Sequence, residues 1–177
     1  MTKTRMRYTD HYSVAMRALT SHGLLLGSYD AAGRPNLMTI GWGSLGSIWG
    51  EPVWTVLVRP NRHTFRCIEH SGCFSVNVPT EAMGLACVAA GSGNGDQRDK
   101  FAAAGLTAEK GTAVLAPVVA ECPIIYECQV VHSNDVVPSK IAHELAGLYV
   151  DDEPHRIYYG KILAAYADKD AAARSAE

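Results

Sequence analysis

The spacing of apolar positions changes repeatedly along the chain, and each change marks an element. Val14, Ala15, Ala18 and Leu19 recur at helical spacing behind Thr9 and Asp10, either of which can cap a first helix. Residues 23–29 (GLLLGSY) read as a strand closed by the turn Asp30-Ala31-Ala32-Gly33, and residues 37–42 as its hairpin partner. Pro52 opens a nearly unbroken apolar run over 53–59, which predicts a strand covered on both faces. Pro60-Asn61 ends it. Residues 63–71 place Thr64, Cys67 and Ile68 on one helical face, and Gly72 stops that helix. Residues 73–78 alternate as a strand closed by Pro79.

Thr80 can cap a helix over 81–90, followed by the glycine-dense stretch Gly91-Ser92-Gly93-Asn94-Gly95. A short helix is predicted from Asp96, ended by Gly105. Residues 124–131 form a strand, Pro138 fits the first turn of a helix carrying Ile141, Ala142 and Leu145, and 155–166 form a final strand with Gly160 inside it. The Ala-rich, charged tail over 169–177 is expected to fray. Six or seven strands with short helices between them, strand following strand early on, predict a mainly β chain. A barrel with helices around it is favoured over a doubly wound sheet. Neither an internal repeat nor a linker divides residues 1–177, so a single domain is expected.

Composition narrows the function classes. Hydrophobic residues at 47% and charged residues at 19% are ordinary for a folded domain, and a net charge of −2 gives no general attraction to nucleic acid or acidic membranes. No segment approaches the ~20 apolar residues of a membrane span. Lys3, Arg5 and Arg7 are followed by no signal-peptide core, since Leu24-Leu25-Leu26 is too short, so a cytoplasmic location is expected. Cys67, Cys73, Cys87, Cys122 and Cys128 include no Cys-x-x-Cys pair. They are read as small buried residues, and no metal site is assigned.

Several motifs fail on context. Gly41-Trp42-Gly43-Ser44-Leu45-Gly46 matches a dinucleotide fingerprint literally, but Ile48-Trp49-Gly50-Glu51-Pro52 cannot continue the helix that such a fingerprint must open. His143-Glu144 lacks a second histidine, no phosphate-binding Walker loop occurs, and no serine or cysteine sits in a nucleophile setting, so no catalytic residue is assigned. The glycine stretch at 91–95 is either an anion cradle or a loop needing positive φ. Arg59-Pro60-Asn61-Arg62-His63-Thr64 is the sharpest signal. Two guanidinium groups, a hydroxyl and a helix N-terminus suit a phosphate dianion, the alternative being a solvated basic loop. In Met38-Thr39-Ile40-Gly41-Trp42-Gly43-Ser44, glycines allow close approach of a flat ligand, Thr39 and Ser44 offer hydrogen bonds to its edge, and Trp42 can flank its face. The alternative makes Trp42 a core aromatic and Gly43 a bulge.

Together these segments resemble the flavin reductase-like family, including flavoredoxin-type proteins, whose fold is an FMN-binding split β-barrel. The resemblance covers roughly residues 20–166. It rests on five blocks in order: 36–42, 59–64, 71–79, Ser92-Gly93 with Asp99-Lys100-Phe101, and 155–162. It implies a homodimer with FMN near the subunit interface. Arg59, Asn61, Arg62, His63 and Thr64 would serve the phosphate and ribityl end. Met38, Thr39, Trp42, Gly43 and Ser44 would line the isoalloxazine ring, and Ser92, Gly93, Lys100 and Phe101 would complete the site. Asn77 and His155 are read as structural. The stretch 133–154, with Asp151-Asp152, departs from simpler members. The resemblance implies an FMN-dependent oxidoreductase taking hydride from NADH or NADPH. Its alternatives are an electron carrier with bound FMN serving a redox protein partner, and a non-redox protein for another planar ligand.

Overall fold

A computed structural model describes residues 3–93, 95–149 and 153–175. Asn94 of the glycine stretch, Asp151-Asp152 and the last two residues of the tail lie outside them. The described residues form ten strands: β1 (Thr4–Arg5), β2 (Leu24–Tyr29), β3 (Pro35–Ile40), β4 (Gly43–Ile48), β5 (Glu51–Val58), β6 (Cys73–Val78), β7 (Ala108–Lys110), β8 (Pro117–Val119), β9 (Ile124–Asp135) and β10 (Arg156–Ala167). Five helices accompany them: α1 (Tyr12–Ser21), α2 (His63–Ser71), α3 (Gly84–Gly91), α4 (Lys100–Ala104) and α5 (Ala171–Arg174). No helix among the described residues is long and apolar enough to cross a membrane.

The main sheet is antiparallel, in the order β3-β2-β6-β9-β10-β5-β4, with β1 beside the far end of β10. Its two edge strands, β3 and β4, are consecutive in sequence and separated by Gly41 and Trp42 alone. Three Cα steps of about 3.8 Å cannot span an open seven-strand sheet, so the sheet must curl until its edges nearly meet. Those edges do not pair. The result is a barrel with one open seam.

The interior is filled by Leu24, Leu26, Trp54, Val56, Phe74, Val76, Tyr126 and Tyr158, and α1 closes one end with Ala15, Ala18 and Leu19. A second core lies outside the barrel, where Leu25 and Leu37 meet Cys87, Ala90, Phe101, Val119 and Cys122. This explains the run Leu24-Leu25-Leu26: β2 is the strand covered on both faces. β5, for which that was expected, buries Trp54, Val56 and Val58 inward while Thr55 and Leu57 remain half-covered. All five cysteines are free and buried.

Several boundaries differ from expectation. β4 was not expected, because its glycines and serines lack strand propensity. It is held by pairing with β5 from Gly43 opposite Val56 to Ile48 opposite Glu51. The predicted helix over 81–90 is a short 3-10 turn, Glu81–Met83, running into α3, with no side-chain cap from Thr80. α4 starts at Lys100 rather than Asp96, capped by the Asp99 carboxylate, which accepts from Ala102 N at 3.0 Å. The segment after Pro138 forms two 3-10 turns, Pro138–Lys140 and His143–Tyr149, not an α-helix. The tail is docked through Ala171, which is fully buried.

Two buried polar side chains in central strands tie neighbouring backbone to the sheet. Asn77 donates to Leu25 O at 3.0 Å and accepts from Val119 N at 2.9 Å, tying β6 to β2 and β8. Glu127, 1% exposed, accepts from the backbone N–H groups of Thr112, Ala113 and Val114 and from the Thr112 hydroxyl. Replacing it by Ala leaves the buried Val114 N–H and the part-buried donors of Thr112 and Ala113 without their acceptor. At roughly 1–3 kcal/mol per unsatisfied group, Glu127→Ala is expected to lower the urea midpoint clearly. Gly160 sits at a register shift in β10, where an added Cβ would meet the Phe74 ring and lie 2.8 Å from Cys128 Cβ. Gly160→Val is therefore expected to cost about 1–3 kcal/mol in equilibrium urea unfolding, and an unchanged midpoint would contradict the packing described.

Candidate functional site

A cleft of about 380 Å³ opens along the barrel's seam. Its walls come from β3, the Gly41-Trp42 connection, the end of β5, the start of α2, and the glycine stretch before α4. Its volume is within the ~300–1,000 Å³ typical of small-ligand sites.

One end is cationic. β5 delivers Arg59 to the cleft, the turn after it delivers Asn61 and Arg62, and α2 begins at His63. Arg62 is the N-cap residue of α2 and makes no side-chain capping bond, and the first turn holds no acidic residue. The positive end of the helix therefore faces the cleft without a cap from its own sequence. Thr64 is buried, and its hydroxyl accepts from Asn36 Nδ2 at 2.7 Å, which fixes it on β3. Asp96, from beyond the glycine stretch, lies against His63 Nδ1 and Arg66 and holds that stretch onto α2.

Lys100 adds a third cation. It is only 4% exposed, and its ammonium donates to Ala90 O at 2.8 Å, the C-terminal end of α3. Burial, and then the nearby charges of Arg62 and Arg98, lower its pKa below the ordinary lysine value. A buried ammonium beside two guanidinium groups is the electrostatic mark of an anion site.

The other end is aromatic and apolar. Trp42, in the seam, is 40% exposed, and its ring lies 4.9 Å from that of His155. His155 shares a hydrogen bond of 3.0 Å with the Tyr149 hydroxyl. Met38, Ile40 and Leu57 supply apolar lining, and Thr39 donates its hydroxyl to Cys87 O at 2.5 Å, pinning β3 to α3.

Of the residues expected from sequence, Met38, Thr39, Trp42, Arg59, Asn61, Arg62, His63, Thr64, Gly93 and Lys100 line this cleft together. Four others lie elsewhere. Gly43 lies in β4, where a Cβ would come 2.5 Å from Thr55 O, so its small size serves strand packing. Ser44 shares a 2.6 Å hydrogen bond with the Thr55 hydroxyl on the outer face of the sheet. Ser92 donates back to Val88 O and caps α3. Phe101 is buried in the outer core against Leu25 and Leu37. Residues not anticipated as lining include Asn36, Leu57 and His155. Asn36 carried a signal, being a polar residue inside an apolar strand. His155 was read as structural, because nothing local shows its packing on Trp42, more than a hundred residues away.

The profile of the flavin reductase like domain matches residues 16–175. Comparison with curated proteins gives no match. Among solved structures, the chain is similar to flavoredoxin of Desulfovibrio vulgaris (Miyazaki F), at 29% identity and a TM-score of 0.68 over 84% of this chain and 70% of that one. Flavoredoxin from Methanosarcina acetivorans is 26% identical, with a TM-score of 0.67 over 84% of this chain and 69% of that one. The FMN-binding domain of a flavin reductases-like enzyme from Shewanella baltica shares the fold, at 22% identity and a TM-score of 0.66 over 96% and 78% of the two chains. With a profile match across nearly its whole length and a barrel split at the Gly41-Trp42 seam, this chain belongs to the flavin reductase-like family.

Proposed function

We propose that the chain binds FMN in the seam cleft and acts as an oxidoreductase, with NADH or NADPH as hydride donor. The observation that carries this reading is the convergence of Arg59, Arg62, buried Lys100 and the uncapped start of α2 on one end of a cleft whose other end is walled by Trp42. An anion with a flat aromatic body fits both ends at once. The donor set matches a phosphate dianion: two forked guanidinium groups, an ammonium, helix N–H groups and the Thr64 hydroxyl. Bound there, FMN supplies the two-electron chemistry. The chain's own residues bind and orient it. Arg59, Arg62 and Lys100 hold the phosphate end, Asn36 fixes Thr64 toward it, and Trp42 covers the ring.

The enzyme is proposed to work as a homodimer. Trp49 in the β4–β5 turn is 65% exposed and adopts φ 57, a left-handed backbone that costs a non-glycine residue about 1–2 kcal/mol. It packs against His132 and Tyr159 on the outer face of β9 and β10, where Val131 and Leu163 are also exposed. A second copy covering this face supports retention of a strained, exposed tryptophan.

A second reading, an electron carrier with bound FMN that serves a redox protein, is favoured by the likeness to the two flavoredoxins. Steady-state oxidation of NADH and NADPH with FMN present separates the two. Turnover supports the reductase, and none with either nucleotide removes it.

The binding reading has its own tests. FMN titration is expected to saturate near one per chain. Arg62→Ala should weaken FMN about 10- to 100-fold, the loss of one charge-assisted contact, while riboflavin, which lacks the phosphate, changes little. Equal effects on both ligands would remove Arg62 from the phosphate.

Lys100 gives a pH test. An anion beside it stabilises the charged amine, so its pKa rises on binding from its lowered free value. Affinity must then fall as pH rises through the free-protein pKa, because the free protein has lost the proton that the complex retains. FMN fluorescence titration across the alkaline range is expected to show this slope in the wild type in excess of that in Lys100→Met. Parallel profiles would place Lys100 away from the anion.

A further inference from the structure

The segment between β9 and β10 reaches the cleft's walls through Tyr149, which touches two lining residues, Arg59 and His155, without lining the cleft itself. Its ring lies beneath the Arg59 guanidinium, whose Cζ is 5.7 Å from the ring centroid. Its hydroxyl is bonded at 3.0 Å to His155 Nδ1, and the two rings meet edge-on at 5.6 Å. His155 in turn packs against Trp42, with ring centroids 4.9 Å apart and the rings tilted by 48°. One side chain from outside the barrel thus supports a residue at the cationic end and, through His155, the residue that walls the aromatic end. The other apolar residues of the 3-10 turn His143–Tyr149 do not share this role: Leu145 and Leu148 are 51% and 47% exposed.

We propose that Tyr149 is a positioning residue for the flavin site, setting the direction of Arg59 by its ring and the orientation of the His155–Trp42 pair by its hydroxyl. This rests on the reading of the cleft as an FMN site. Two different atoms of one side chain do the two jobs, so they separate by substitution. An unrestrained arginine samples many rotamers, and fixing it in advance lowers the entropy cost of clamping a phosphate. The aromatic ring restrains the guanidinium through its face, so this contact itself uses none of the N–H groups. The hydroxyl acts on a ring pair that has no part in the phosphate contact.

Binding of FMN and riboflavin to the wild type, Tyr149→Phe and Tyr149→Ala is the test, with circular dichroism and thermal unfolding to confirm that each variant is folded. Tyr149→Ala is expected to weaken FMN by about 5-fold or more, the scale of a lost cation–π contact, and riboflavin distinctly less, so that the ratio of the two affinities falls. Tyr149→Phe keeps the ring and is expected to keep the wild-type ratio. It should shift the His155 ring nitrogen resonances in ¹⁵N-resolved NMR of the free protein. A purely structural role would move both ligands equally and leave the ratio unchanged in every variant. If the wild type binds FMN and neither the ratio nor the His155 resonances respond, Tyr149 does not position the site and the FMN reading stands. If the wild type binds neither ligand, both the reading and this inference fall.

Discussion

The structure depends on a two-residue connection between the two edges of one sheet. β3 and β4 are the ends of the seven-strand path, yet Gly41 and Trp42 alone join them. That short tether forces the sheet to curl, and the missing hydrogen bonds between β3 and β4 keep the seam open. A closed barrel would have filled the gap with ladder bonds and left no cleft. The same residues that interrupt the ladder therefore line the site, and the site's place follows from topology before any side chain is considered.

The seam explains the charge arrangement as well. β5 runs beside β4 and ends at the seam, so the turn that follows it, with Arg59, Asn61 and Arg62, is delivered to the cleft mouth. α2 starts there and carries its positive end with it. Opposite, the outer core that covers β2 and β3 brings α3 and α4 to the other lip, and the chain between them carries Gly91, Gly93 and Gly95. Lys100 bonds to the carbonyl end of α3, which orients its ammonium without supplying a full counter-charge. Asp96 reaches His63 and Arg66 on α2, while Arg59, Arg62 and Lys100 line the cleft.

Sequence reading reached these features unevenly, for physical reasons. The Arg59–Thr64 segment was legible as part of the cleft wall because strand, proline turn and helix start are local signals. β4 was not, since Gly43, Ser44, Gly46 and Ser47 have poor strand propensity and are held by the pairing partner rather than by their own preference. The missed strand also explains why Ser44 was expected in the site but lies outside the cleft: in a loop its hydroxyl is available, whereas in β4 it points to Thr55 on the outer face. Phe101 was legible as part of a segment but not as core, because the segment's alternation between Lys100 and Phe101 sends adjacent side chains to different surroundings. His155 joined the site only through tertiary packing on Trp42.

Asn77 and Glu127 show how polar residues in apolar strands divide between structure and function. Both are buried in central strands, and both would be flagged by a search for isolated polar groups. Asn77 spends its amide on Leu25, Ser75 and Val119, and Glu127 spends its carboxylate on the N–H groups of 112–114. Each completes backbone pairing that the sheet cannot supply, so neither has capacity left for a ligand. Lys100 is the contrasting case. It is equally buried, but its one described bond leaves two ammonium hydrogens, and its neighbours of known charge are cations. Stability alone would favour replacing it with an apolar side chain, since burial disfavours its charge and the single carbonyl it bonds supplies no full counter-charge. Its retention is what the proposed anion site calls for, since an anion beside Lys100 would supply the counter-charge that Ala90 O does not.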